Sequence, residues 1–169
     1  MTALNWPICL SDSSFACLSF LEDETCQLFE LMVQKAEDTE TSLLLDVILQ
    51  ETRKHRELMK HLSSVFENGA VVGVNECEKQ MGQLFAQAVA LVHKVKDEIL
   101  QGMRIENAAA RLVDFERGVG EEYVAEMHVR ARSLVEENQA VRNILENITE
   151  DERGHVEILE LLTEIASKK

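Results

Sequence analysis

The sequence holds little that breaks a helix: one proline and seven glycines in 169 residues. Long, uninterrupted helices follow, because these are the two residues that most weaken or end them. Strand signals are nearly absent. Ala70–Val71–Val72–Gly73–Val74 is a short β-rich run, and the glycines in and beside it make it read as a loop. No stretch approaches the roughly 18 consecutive apolar residues of a membrane span. Met1 to Leu10 lacks the basic segment and long apolar run of a signal peptide. None of the four cysteines, Cys9, Cys17, Cys26 and Cys77, stands in a CxxC pair, which excludes a zinc knuckle or a rubredoxin-type iron site. Free thiols in a reducing cell, and so a cytoplasmic protein, are the expectation. Positive charge is also scarce, with 17 Lys and Arg against 31 Asp and Glu and a formal net charge of -14. That field repels phosphate backbones, and no basic stripe offsets it, so nucleic acid is not an expected partner.

What is present points to one packed domain over residues 1–169. Hydrophobic residues make up 46% of the chain and charged residues 28%, a balance that gives a folded core rather than disorder. Apolar periodicity predicts a helix from about Ser13 to Asp38, with Phe15, Ser19, Glu22, Cys26, Phe29, Val33 and Ala36 on one stripe. A turn over Thr39 to Thr41 leads to a second helix reaching Phe66, with Leu45, Ile48, Thr52, His55, Met59 and Leu62 sharing a face. Asn75 and Glu78 have the spacing of a capping box and open a third helix that continues to about Gln101–Gly102. A fourth spans roughly Ile105 to Glu136, with Leu112, Glu116, Val119, Tyr123, Met127 and Leu134 inward. A fifth runs from about Asn138 to Ala166, with Val141, Leu145, Ile148, Glu152, His155, Leu159 and Leu162 on one face. The fold class is all-α: an antiparallel four-helix bundle with an additional helix in the long crossover. That extra helix has apolar surface enough to cover a bundle face or to form a homodimer, and periodicity leaves both open.

Two segments one hundred residues apart repeat a pattern: Leu45–x–x–Ile48–x–x–x–Thr52–Arg53–Lys54–His55 and Leu145–x–x–Ile148–x–x–x–Glu152–Arg153–Gly154–His155. Glu152 and His155, three apart on a helix, project from one face among apolar neighbours. A bare carboxylate there costs several kcal/mol or takes up a proton. A metal ion offsets that cost by giving carboxylate and imidazole something to coordinate. Glu22 and Glu116 are the same anomaly on two other helices. Each is followed seven residues later by an aromatic residue, Phe29 and Tyr123 respectively.

In these residues the chain resembles the ferritin-like superfamily, especially its rubrerythrin-like branch, over nearly its whole length, Ser13 to Ala166. That family holds a dinuclear metal site with one glutamate on each of two helices and a Glu-x-x-His motif on each of two others. The resemblance implies a ferritin-like bundle with Glu22, His55, Glu116, Glu152 and His155 as ligands. It implies two iron ions, with manganese or zinc as alternatives, and Tyr123 as a hydrogen-bond donor or electron relay. The implied activity is that of a di-iron oxidoreductase of ferroxidase or peroxidase type, acting on oxygen or peroxide. The chain departs from the family at Thr52, where a bridging carboxylate belongs. Glu51, turned by about 100° toward the helix edge, either bends in as a ligand or faces solvent. The family's four-cysteine iron site is missing too. The rival reading is a metal-free structural or interaction protein in which the same acids and histidines form an internal hydrogen-bond network.

Overall fold

The computed structural model describes residues 14–115 and 138–167. Among the described residues there are six helices and no strand: α1 (Ser14–Lys35), α2 (Thr39–Phe66), α3 (Val74–Met81), α4 (Gln83–Leu100), α5 (Ile105–Phe115) and α6 (Gln139–Ser167). They pack as a four-helix-bundle-like core with extra helices. The inward positions expected at Glu116, Val119, Tyr123, Met127 and Leu134 lie outside the described residues, as does Cys9.

α1 and α2 form an antiparallel hairpin. Arg53 reaches Glu30 at 2.7 Å and Arg56 reaches Asp23 at 3.0 Å, so rising numbers on one helix meet falling numbers on the other. The turn between them is tighter than the sequence predicts. Asp38, not a residue near Thr41, is the N-cap of α2, and its carboxylate accepts from the Thr41 backbone N–H at 2.8 Å. Thr39 to Thr41 are therefore the first turn of the helix. The carboxylate of Glu67, just past α2, accepts from the backbone N–H groups of Phe15 and Ala16 at 2.7 and 2.9 Å. This long-range contact satisfies donors that the first turn of α1 cannot satisfy itself.

The single helix expected from Asn75 to about Gln101 is two. Gly82 takes φ +88°, a left-handed conformation that L side chains rarely adopt, and it divides α3 from α4. α3 begins two residues earlier than the Asn75 box implies. Gly73 is the cap, and its N–H donates to Glu76 at 2.9 Å.

α4 lies on the bundle face. It runs parallel to α1, with His93 against Glu24 at 2.7 Å and Lys96 against Gln27 at 2.9 Å. α1 is thus packed between α2 and α4, which explains why it buries Cys17, Leu18, Leu28 and Met32 in addition to Phe15, Cys26 and Phe29 from its expected stripe. After the turn at Gly102, α5 comes back along α4, and Arg111 pairs with Glu98. α6 closes the core against α5 and α2.

Cys17 and Cys77 form a disulfide, with Cα atoms 5.4 Å apart, that ties α3 to α1. The expectation of free cysteines throughout was wrong for this pair. Residues sixty apart in sequence meet only through tertiary packing, which spacing does not reveal. The cysteines accordingly give no argument for a reducing compartment. Cys26 is a buried free thiol. Among the described residues, no helix is long and apolar enough to cross a membrane.

The buried apolar side chains fall into two clusters. One gathers Phe29, Met32, Leu45, Ile48, Val95, Leu159 and Leu162. The other gathers Phe15, Met59, Leu62, Phe85, Leu145 and Ile148. Along α1, α2 and α6, the residues between these clusters are Glu22, Thr52 with His55, and Glu152 with His155. A polar layer therefore divides the core in two.

Candidate metal centre

α2 and α6 cross this layer antiparallel and present it with matched side chains. α2 carries neither glycine nor proline over its 28 residues, and α6 has Gly154 alone in 29. Leu45, Ile48, Thr52, His55 and Met59 recur at helical spacing and all are buried, as are Leu145, Ile148, His155 and Leu159 on α6. Strong apolar anchors above and below hold the polar positions inward.

The two histidines lie side by side, ring centroids 5.7 Å apart and planes at 35°. Glu152 stands between them. Its Oε1 is 3.1 Å from His55 Nδ1 and its Oε2 is 3.3 Å from His155 Nδ1. The outer ring nitrogens are held by carboxylates from the opposite helix. His55 Nε2 is 2.9 Å from Asp151, and His155 Nε2 is 2.9 Å from Glu51. Position 51 thus faces 155 while 151 faces 55, so the two helices are related locally by an approximate two-fold axis that exchanges each residue with the one a hundred further on. Lys54 completes one side by pairing with Asp151.

Burial alone would raise the Glu152 carboxyl. Hydrogen bonding and charge from His155 and His55 outweigh it and hold the group down at about 2. Asp151 is also depressed. Burial again acts upward, but hydrogen bonds to His55 and Lys54 dominate. Both acids are therefore carboxylates at neutral pH, as ligation or charge-assisted hydrogen bonding requires.

One contact in this network is incomplete. His55 is wholly buried, and its Nδ1, although 3.1 Å from Glu152, is not aligned with any hydrogen-bond partner. Polar atoms so deeply buried are normally satisfied. With the Nε2 proton shared with Asp151, a neutral ring would offer the Nδ1 lone pair to a cation. Glu22 supplies a third donor from α1: one ligand atom each from Glu22, His55 and Glu152 lie within 4.8 Å of one another. Donors about 2.1 Å from one ion stand at most about 4.2 Å apart, so the three side chains would draw together slightly on a single ion. Two carboxylates and one imidazole are a donor set that iron, manganese and zinc all accept.

The expected ligands are therefore not all placed alike. Glu22, His55 and Glu152 converge. His155 stands next to them, turned toward Glu152 through Nδ1. Glu51 does not reach into the cluster, because its carboxylate is engaged with the outer nitrogen of His155. Glu116 and Tyr123 lie outside the described residues. Arg53 braces the surface of the hairpin through Glu30 rather than entering the layer. His61 and His93 are exposed, and His128 lies outside the described residues. Sequence reasoning missed Asp151. The available signal was that Asp151 and Glu51 occupy the same place in the two repeats, each one residue before the inward position.

No family model, curated protein or solved structure matches this chain.

Proposed function

We propose that this protein is a metal-binding helical bundle of the ferritin-like kind, in which Glu22, His55 and Glu152 hold a divalent cation within the core. The observation that carries the reading is His55 Nδ1, fully buried, 3.1 Å from Glu152 but not aligned for a hydrogen bond to it, and grouped with two carboxylates from separate helices. Leaving that arrangement without a cation carries a desolvation cost that ligation removes.

Each residue has a distinct task. Glu22 and Glu152 supply negative charge that balances a dication. His55 supplies a neutral nitrogen, and Asp151 fixes its ring from the far side, the usual support of a ligating imidazole. Lys54 tempers the charge of Asp151 at the outer edge of the site. The apolar clusters on both sides flank the layer and keep the helices in register, while Glu22 and Glu152 stay partly exposed. With iron bound, such a centre supplies electron exchange with oxygen or peroxide, the activity implied by the resemblance to the rubrerythrin-like branch. A dinuclear centre also needs a carboxylate at position 52, and Thr52 does not provide it.

A second reading is a metal-free bundle. It is favoured by the carboxylate near every ring nitrogen of His55 and His155, a nearly closed polar network. Equilibrium binding of Mn(II), or of Fe(II) under anaerobic conditions, separates the two. The metal reading predicts saturable binding that His55→Ala and Glu22→Gln abolish while the protein remains helical. Absence of binding to correctly folded protein refutes it.

A further inference from the structure

We propose that the centre is built for one metal ion, and that Thr52 is the residue that excludes a second. This rests on the assignment of Glu22, His55 and Glu152 as a metal site. The local two-fold relation between α2 and α6 provides the reasoning. It exchanges Glu51 with Asp151, and these carboxylates hold the outer nitrogens of His155 and His55 at the same distance, 2.9 Å. It exchanges His55 with His155, both buried. It then exchanges Glu152 with Thr52. The frame is symmetric in its histidines and in their supporting acids, and asymmetric at the residue that bridges.

Thr52 is 2% exposed, so it occupies the interior place that the symmetry gives it. Its hydroxyl does not turn toward the histidines. It donates to the Ile48 carbonyl one turn back along its own helix, at 2.9 Å. Nor does the neighbouring acid substitute for it, since Glu51 is engaged at the outer nitrogen of His155. The α2 side therefore brings no carboxylate to the inner nitrogen of His155.

Charge balance leads to the same result. Glu22 and Glu152 neutralise one dication. Among the described residues, a second ion beside His155 would add two positive charges where α2 offers the inner nitrogen only a neutral hydroxyl already committed to a carbonyl, and partly buried charge without a counter-charge is unfavourable. His155 is then a structural partner of Glu152 rather than a second ligand post. It steadies the carboxylate that serves His55.

The test is to count ions. Protein stripped of metal is saturated with Mn(II), passed through a desalting column and assayed for manganese per chain, with the electron paramagnetic resonance spectrum recorded on the same sample. The wild-type chain is expected to retain one manganese with the signal of an isolated ion. Thr52→Glu restores the missing carboxylate and is expected to retain two, with the spectrum of an exchange-coupled pair. Thr52→Ala, which removes the hydroxyl together with the γ-methyl, is expected to keep one. Two manganese ions in the wild type overturn this proposal and leave the metal site standing. Zero in the wild type overturns both. If Thr52→Glu folds but stays at one, position 52 is not what limits the count. If it does not fold, the wild-type and Thr52→Ala counts decide: one in each sustains the single-ion centre, and two in either refutes it.

Discussion

Reduction of the Cys17–Cys77 bridge gives a quantitative perturbation remote from the metal. The bridge closes a loop with a sequence separation of 60, containing most of α1, all of α2 and the connection into α3. In the chain-entropy treatment, closing such a loop removes about 14 cal/mol/K from the unfolded chain, or about 4 kcal/mol at 25 °C. The native state changes little on reduction. Both cysteines are fully buried beside Phe15, Leu18, Met81 and Phe85, and two thiols occupy nearly the volume of the bridge. The loss therefore appears almost entirely as greater freedom of the unfolded chain. It corresponds to roughly a thousandfold shift in the folding equilibrium. For a chain of this size, the midpoint temperature falls by roughly 8–16 °C. Urea unfolding of metal-free protein, followed by circular dichroism with and without a phosphine reductant, measures the effect. The reduced sample is expected to unfold at lower urea and with a steeper dependence, since an unconstrained chain exposes more surface. A loss below about 1 kcal/mol would refute the loop-closure reasoning.

Other outcomes follow from individual residues. Burial pushes the Cys26 thiol up to about 11, with Arg56 opposing and Glu22, Asp23 and Glu30 adding to the rise. In a Cys9→Ser background, Cys26 should resist iodoacetamide at pH 8 until the chain is unfolded, and rapid native-state alkylation would contradict its burial. The sign of the associated linkage is fixed. Between the ordinary thiol value of 9.0 and about 11, the unfolded chain has lost this proton and the folded chain keeps it. The contribution to stability is therefore complete below the lower value and disappears as pH rises through the upper one, a slope that denaturation curves should show and that Cys26→Ala should flatten. A Cβ added at Gly154 meets nothing within 4 Å, so Gly154→Ala should stabilise α6 by about 0.5–1 kcal/mol without changing metal affinity. A drop in midpoint temperature would contradict that open space. Asp151→Asn frees the His55 ring from its supporting carboxylate and should weaken Mn(II) binding by roughly 10–100-fold, read by calorimetry, with one ion still bound at saturation. Unchanged affinity would remove Asp151 from the site.

Helical period made the centre of the molecule readable before any coordinates. Leu45, Ile48, Thr52, His55 and their counterparts on α6 are placed by the geometry of one helix, and a stripe of that kind is a local property of the chain. Glu22 was visible for the same reason, as an acid in an apolar stripe. Features that depend on two elements meeting were not legible. The second buried face of α1 comes from α4 lying across it. The disulfide comes from α3 folding back on α1. The engagement of Glu51 with His155 needs the register of α2 against α6. The division of α3 from α4 rests on one backbone conformation at Gly82, and an isolated glycine in a helical pattern gives a weak local signal because many are tolerated. Asp38 was overlooked as a cap because the threonines after it looked like a turn, whereas its carboxylate receives the Thr41 N–H.

The most direct test of the central claim is anomalous diffraction from crystals grown with Mn(II), recorded at a wavelength where manganese scatters strongly. The account predicts one strong anomalous peak in the core layer, bonded to Glu22, His55 Nδ1 and Glu152. Peaks confined to surface acids, with the layer closed by direct hydrogen bonds between the same side chains, would contradict it.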